Sequence, residues 1–227
     1  MGRQIARALA RQGFDLVINY NRSRPGAHET VKYAKALGGK AIAIKADVTN
    51  RLQVKKMIDR TMKHFKRIDV LVNNAGIFLH GPLVKTTDAL WQSTLDVNLR
   101  GPFLTSQLVS RIMLRQRRGR IINIASLGGI KAWSSHLAYS VSKAGLIMLT
   151  RCLAKELAPH VMVNAIAPGT IIFPDEEYPR QRHVPQSSIP LKRYGGPEDI
   201  SNLVLYLATT ANYVTGQIIS VDGGRSI

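Results

Sequence analysis

Cysteine is nearly absent from this chain: Cys152 stands alone among 227 residues, so no internal disulfide can form, which fits a reducing cytoplasm. Cys152 itself reads as a small packed side chain. There is no apolar run of transmembrane length and no charged start followed by an apolar stretch, which argues against membrane insertion and export. Repeats, low-complexity tracts and linkers are missing too. His80, His136, His160 and His183 stand at no metal-ligand spacing with one another or with Cys152, so no zinc site is expected. Acidic residues are scarce, 14 against 32 Lys and Arg, and the net charge of +18 should attract polyanions. Arg111, Arg115, Arg117, Arg118 and Arg120 cluster, either as a docking patch for an acidic protein or nucleic acid, or as a solvated helix end with cations at its negative pole. No recognisable DNA-binding or RNA-binding motif accompanies the charge, so specific nucleic-acid binding is not expected.

What is present has a regular rhythm. Strand-like runs at 14–19, 41–46, 70–73, 120–125, 161–167 and 218–221 alternate with helical patterns at 2–11, 27–37, 51–65, 87–115, 139–157 and 197–208. Alternation of this kind predicts an α/β fold, a parallel sheet covered by helices on both faces. With 45% hydrophobic residues the chain suits one domain, 1–227. Its one long irregular stretch, 168–196, is rich in proline and charge, and within it 170–195 reads as a lid or binding loop.

Tyr139 and Lys143 lie four apart on a predicted helix, hence on one face, and Ser126 stands thirteen residues earlier at the end of the apolar strand Ile121-Ile-Asn-Ile-Ala125. A lysine cation near a phenol favours the phenolate, so the pairing predicts a lowered Tyr139 pKa and a better proton donor and acceptor near neutral pH. A phenol, an ammonium and a hydroxyl around one carbonyl read as a hydride-transfer site. The spacing alone also describes a solvated helix face.

The order of motifs decides between them. Asp47-Val48, Asn73-Asn74-Ala75-Gly76, Asn98, Ser126, Tyr139 with Lys143, Pro168-Gly169 and Val221-Asp222-Gly223-Gly224 together resemble the short-chain dehydrogenase/reductase family across nearly the whole chain. The resemblance implies a Rossmann-like doubly wound sheet of strand order 3-2-1-4-5-6 and nicotinamide-dependent carbonyl chemistry. It implies that Tyr139 protonates the carbonyl oxygen and that Lys143 supports it and binds the nicotinamide ribose. Ser126 would orient the carbonyl, and Asn98 would anchor a relay water.

The cofactor residues that the resemblance implies are Gly2, Arg22, Ser23, Asp47, Val48, Asn74, Ala75, Gly76, Tyr139, Lys143, Pro168, Gly169 and Ile171. An NAD-preferring site usually has an acidic residue after the second strand of the fold, whereas this chain reads Asn19-Tyr-Asn-Arg-Ser-Arg24. Arginine and a hydroxyl there suit a 2′-phosphate, so NADP(H) is expected over NAD(H). Plainer roles stand beside these: Asp47 as the cap of the helix from Arg51, Asn74 and Ser126 as turn residues, Asn98 bonded within its own helix, and Pro168-Gly169 as a structural loop. Phe173 occupies a position where the family often offers threonine. Trp133 and Phe173 are candidates either for a pocket wall or for the core.

The chain opens at Met1-Gly2-Arg3-Gln4-Ile5, which resembles only the tail of the family's glycine-rich pattern, so the fold should lack its first strand and most of the phosphate-binding turn. The slot would fall between the strands near Val17 and Leu71. Either Met1 is an internal methionine of a longer protein, or the chain is a truncated product, unstable or kept as a catalytically inactive binding protein. For the substrate, 3-oxoacyl groups on an acidic acyl carrier protein come first and pteridines second. A homodimer or homotetramer paired through 87–115 and 139–157 is expected by the same resemblance.

Overall fold

The computed structural model describes residues 1–173 and 184–227. In chain order its elements are α1 (Gly2–Arg11), β1 (Leu16–Tyr20), α2 (Arg24–Ala36), β2 (Ala41–Lys45), α3 (Arg51–Phe65), β3 (Val70–Asn73), α4 (Asp88–Leu95), α5 (Gly101–Gln116), β4 (Gly119–Ile124), α6 (Leu137–Leu157), β5 (Val161–Pro168), α7 (Pro197–Thr209) and β6 (Ile218–Val221). The expected elements are there, with two differences of substance. Helix α2 starts at Arg24, because Pro25 sits in its first turn, where a missing N–H costs nothing. The span 87–115 is not one α-helix: Asp96–Arg100 forms a π turn between α4 and α5.

All strand pairings are parallel, but they form two ladders: β1 with β2, and β3-β4-β5-β6. No ladder joins β1 to β3, and the break falls at the expected slot. The fold has helices on both faces of the parallel strands, and among the described residues no strand occupies that slot. Hydrophobic packing nevertheless spans the break, since Leu16 and Ile18 of β1 and Val70 and Val72 of β3 share one apolar cluster.

Alternation along the strands builds both layers. Ile122, Ile124 and Ile166 face α1, α2 and α7, burying against Ile5, Leu9, Ala34, Ile200 and Val204. Ile121, Val161 and Val163 point the other way, against Val54 and Ile58 of α3, Met113 of α5 and Leu157 of α6. All six residues of β4 are buried, as a central parallel strand covered on both faces requires.

Arg120, expected in the basic cluster, is one of them. Its guanidinium donates to the carbonyls of Leu207, Thr209 and Ala211 and to Asn212 Oδ1, satisfying the open end of α7. Arg111, Arg115, Arg117 and Arg118 remain exposed, and they gather where β4 begins, at the amino edge of the sheet. Cys152, expected to be packed, is exposed on α6. Among the described residues no helix is long and apolar enough to cross a membrane, and no group of His, Cys, Asp and Glu could hold a metal ion. Of the expected lid, 174–183 lies outside the described residues, as does His183. Its described flanks are tied down by the bridge between Ile171 and Gly195 and by the Tyr194 hydroxyl, which donates to the Val184 carbonyl.

Candidate functional site

Parallel strands bring all their carboxyl ends to one edge, and nearly every candidate residue follows such an end. Asn21 to Ser23 follow β1, Asp47 and Val48 follow β2, Asn74 to Gly76 follow β3, Ser126 follows β4, and Gly169 to Ile171 follow β5. Tyr139 and Lys143 rise from the first turns of α6.

At the centre the Tyr139 phenol lies beside Ser126, whose side chain acts to hold the phenol's pKa down. Ser126 Oγ accepts from the Gly128 N–H at 3.0 Å, so the serine is both a turn residue and the phenol's neighbour. Lys143 is 4% exposed, donates to the Ile124 carbonyl at 2.8 Å, and holds its Nζ 5.8 Å from the Tyr139 ring centre. The expected lowering of the phenol's pKa is not found. Burial pushes Tyr139 up, opposed by the Ser126 side chain, because the lysine's donor is turned to a backbone carbonyl rather than to the phenol oxygen. Burial also lowers Lys143 from 10.5 to about 8, which leaves it mostly protonated at pH 7.

Asn98 is fully buried in the π turn and does not bond its own helix. Its Nδ2 donates to the Ile77 carbonyl at 2.9 Å and to Ser142 Oγ at 3.1 Å, while its Oδ1 accepts the Ile77 N–H at 2.8 Å. It thereby pins the segment after β3 to α6. Gly76 lies in that junction: a side chain there would come within 3.2 Å of Asn98 Oδ1 and 3.6 Å of Lys143 Nζ.

The residues along this edge would suit the two nucleoside ends of a dinucleotide, while of the glycine-rich turn that would hold its diphosphate only Gly2 is present. At one end the start of α1 meets the end of β3 so closely that a Cβ on Gly2 would sit 2.7 Å from Asn74 Nδ2, leaving bare helix-end backbone beside Asn74. Arg22 and Ser23 are exposed after β1 with no carboxylate in the run Tyr20 to Arg24. Asp47 lies close by, its pKa lowered mainly by hydrogen bonds from Thr49 and further by Asn21 and Arg22. It does not cap α3. Asn50 does, accepting from the Gln53 N–H at 3.1 Å, so the Asp47 carboxylate serves a turn through Thr49 at 2.9 Å. Val48 packs on the start of α5 at Gly101. At the other end, the close approach at Gly169 is to the Asp222 backbone, the neighbouring strand end. The Ile171–Gly195 bridge uses the Thr170 carbonyl and the Ile172 N–H, leaving the backbone groups of Ile171 outside it.

One network escapes the sequence reading. Asn73 Nδ2 donates to Asn123 Oδ1 at 2.8 Å and its Oδ1 accepts from Thr105 at 2.7 Å, while Asn123 donates to Thr150 Oγ1 at 2.9 Å. This buried polar ladder ties together β3, β4, α5 and α6. An asparagine in the middle of the apolar run of β4 is the signal that could have marked it.

The match to known proteins covers the same span as the geometry. The family model described as "Enoyl-(Acyl carrier protein) reductase" matches residues 1–226. A 3-oxoacyl-[acyl-carrier-protein] reductase of Synechocystis sp. is 44% identical over 227 residues, 99% of this chain and 92% of the relative. The enzyme of the same description from Thermotoga maritima is 39% identical over 231 residues, 100% and 94%. Among solved structures, levodione reductase superposes with a TM-score of 0.92 at 33% identity, covering 99% of this chain and 93% of that one. Acetoin dehydrogenase YohF from Salmonella typhimurium gives 0.88 at 36% identity, covering 98% and 90%.

Proposed function

Since the chain belongs to the short-chain dehydrogenase/reductase family, we propose that it is a reductase acting on a 3-oxoacyl thioester, with NADPH as its preferred reductant. That it is an NAD(P)-dependent oxidoreductase of carbonyl compounds follows from the family and its relatives. The observation that carries the reading is the Ser126–Tyr139–Lys143 constellation at the carboxyl edge of the sheet. The reduced nicotinamide supplies hydride when bound. Tyr139 holds the proton for the carbonyl oxygen, and its raised pKa keeps the phenol protonated for reduction at neutral pH. Ser126 directs the oxygen toward that phenol, and its bond to Gly128 fixes its rotamer. Lys143 places a cation against the ring. Asn98 acts here as a positioning residue, since its bonds to Ile77 and Ser142 set the distance between the β3 loop and α6. Along the same edge Gly2, Asn74, Ala75 and Gly76 would take the diphosphate and ribose side of the cofactor, Asp47 and Val48 the adenine, Arg22 and Ser23 a 2′-phosphate, and Pro168, Gly169 and Ile171 the nicotinamide.

The relatives' descriptions favour a thioester on acyl carrier protein. An acidic carrier would meet cations at the carboxyl edge, such as Lys131 and Arg225, which touch through Lys131 Nζ and the Arg225 carbonyl at 3.0 Å. The arginines from Arg111 to Arg118 sit at the far edge, about 20 Å away along β4, and do not serve that docking. A cytoplasmic site of action belongs to the same reading. NADPH oxidation with acetoacetyl thioester, with dihydrobiopterin as the competing substrate, tests the proposal. The thioester should be reduced, and Tyr139→Phe should lower kcat by roughly a hundredfold or more without loss of nucleotide binding by calorimetry. Reduction of the pterin alone, or a fully active Tyr139→Phe variant, would overturn it.

A further inference from the structure

Beside the phenol stands an aromatic corner that the catalytic reading does not use. Phe78 comes from the segment after β3, and Trp133 and His136 from the segment after β4. The two segments are stitched together by the bridge between Gly81 and His136, with the Gly81 N–H donating to the Ser135 carbonyl at 2.9 Å. The Trp133 ring lies within 10° of parallel to Tyr139 at 6.1 Å between centres, and Phe78 stands at 77° to both rings, 4.6 Å from Tyr139. The result is an aromatic corner in which the near-parallel Trp133 and Tyr139 rings form one side and Phe78 stands across both.

Both walls are braced from behind. Trp133 lies so close over Gly128 that a Cβ there would come within 2.7 Å of the indole. Phe78 is stacked on the His136 ring at 4.2 Å and 4°, and His136 Nδ1 is hydrogen-bonded to Ser135 Oγ at 2.9 Å. Phe78 and Trp133 are only half-buried, so ring surface remains open at the mouth. Packed rings lose little freedom when a ligand arrives, and such a wall is ready-made.

We propose that this corner selects a carbonyl bonded directly to a planar aromatic ring, an aryl ketone, over one flanked by alkyl groups on both sides. The inference rests on the carbonyl-reductase reading and narrows its substrate to a 3-oxoacyl group that carries an aryl ring on the keto carbon, with alkyl 3-oxoacyl groups such as acetoacetyl reduced less efficiently. A flat ring can lie offset against one wall while meeting the other with its edge, the two arrangements that aromatic quadrupoles favour. An alkyl chain gains burial there and nothing more. With the aryl group in the corner, the attached carbonyl is carried to the Tyr139 hydroxyl. Reduction then adds hydride from the reduced nicotinamide to the carbonyl carbon, the C=O π pair moves to oxygen, and the oxygen takes the Tyr139 proton. The products are the benzylic alcohol and oxidised nicotinamide.

The test compares ethyl benzoylacetate with ethyl acetoacetate, which differ by phenyl for methyl, in the full chain. The expected kcat/KM ratio favours the benzoyl ester about tenfold. In Phe78→Leu or Trp133→Leu, kcat/KM for the benzoyl ester falls several-fold further than for the acetyl ester. Binding is read separately from the indole N–H resonance of Trp133, distinguished from Trp91 by Trp91→Phe, which should shift saturably with the benzoyl ester. A wild-type ratio near one, or a ratio unchanged in both leucine variants, overturns the aryl proposal while reduction of both esters leaves the reductase reading standing. If neither ester is reduced with NADPH or NADH but the indole still shifts with the benzoyl ester alone, the aryl site stands and the reductase reading falls.

Discussion

Lys143 is where burial and chemistry oppose each other most directly. Its ammonium is buried with one backbone acceptor, and its pKa falls from 10.5 to about 8. The unfolded chain keeps that proton up to about pH 10.5, so between about 8 and 10.5 it binds more protons than the folded chain, and stability rises with pH across that window. Below pH 8 both states are protonated and the fold carries the whole penalty, of the order of 3 kcal/mol for a shift of this size. The unfolding free energy of wild type, measured against Lys143→Met at neutral pH and at about pH 10, should therefore gain on the variant by about 2–3 kcal/mol. A constant difference would show that the lysine is not desolvated as described. Catalytic reduction should decline over the start of the same window, as the cation beside Tyr139 is lost. Arg22 is a contrasting case, exposed just after β1. Arg22→Ala should weaken 2′,5′-ADP about tenfold in calorimetry and leave 5′-ADP nearly unchanged, since a charge-assisted pair to the 2′-phosphate is what the substitution removes. Equal losses would remove the basis for an NADPH preference.

Among the elements, regular strands and helices were legible because their apolar periodicity answers directly to the two layers of the core: β3 and β6 fall on their expected bounds, as do α1 and α3. The π turn was overlooked although Gly101-Pro102 marks it, because a proline has no N–H to bond the carbonyl of Asn98 in a continuous helix. What the sequence does not show is what holds the turn's central residue in place, a set of tertiary bonds from Asn98 to Ile77 and Ser142. Arg120 was misread for a similar reason. Sequence shows its charge but not the four oxygen atoms of the α7 end that surround it. The split of the sheet, by contrast, was foreseeable, because a missing strand between two known neighbours leaves both without a partner on that side. That predicts a gradient in amide exchange. Residues of β4, paired on both sides with β3 and β5, should exchange most slowly; β1 and β3, each paired on one side only, should exchange faster by an order of magnitude or more. Uniform protection across β1, β3 and β4 would mean that the slot is closed in solution.

At the scale of the whole molecule, apolar surface and charge pull in different directions. The helices α4, α5 and α6 leave a groove of about 310 Å³ lined by Leu95, Leu99, Phe103 and Leu149, with Gln92, Asp96 and Arg100 also lining it; Phe103 is 40% exposed and Met148 55% exposed nearby. These are the helices through which the family resemblance expects two copies to pair, and Gly145 lets α6 approach Leu99 closely enough to make that face continuous. Yet each copy carries a net charge of +18, and two such charges repel at long range. Screening shortens that repulsion to roughly 10 Å near 0.1 M salt, while burial of Phe103 and its neighbours is insensitive to salt on that scale. Self-association should therefore strengthen between about 0.05 M and about 0.3 M salt, the reverse of what a salt-bridged interface would show. Sedimentation velocity reads it directly: a shift from monomer toward dimer with added salt in wild type, and a monomer throughout for Phe103→Asp, which places a carboxylate in the groove. A wild type that stays monomeric at every salt concentration would remove this face as an interface, and a Phe103→Asp variant that still assembles would place the contact elsewhere on the molecule.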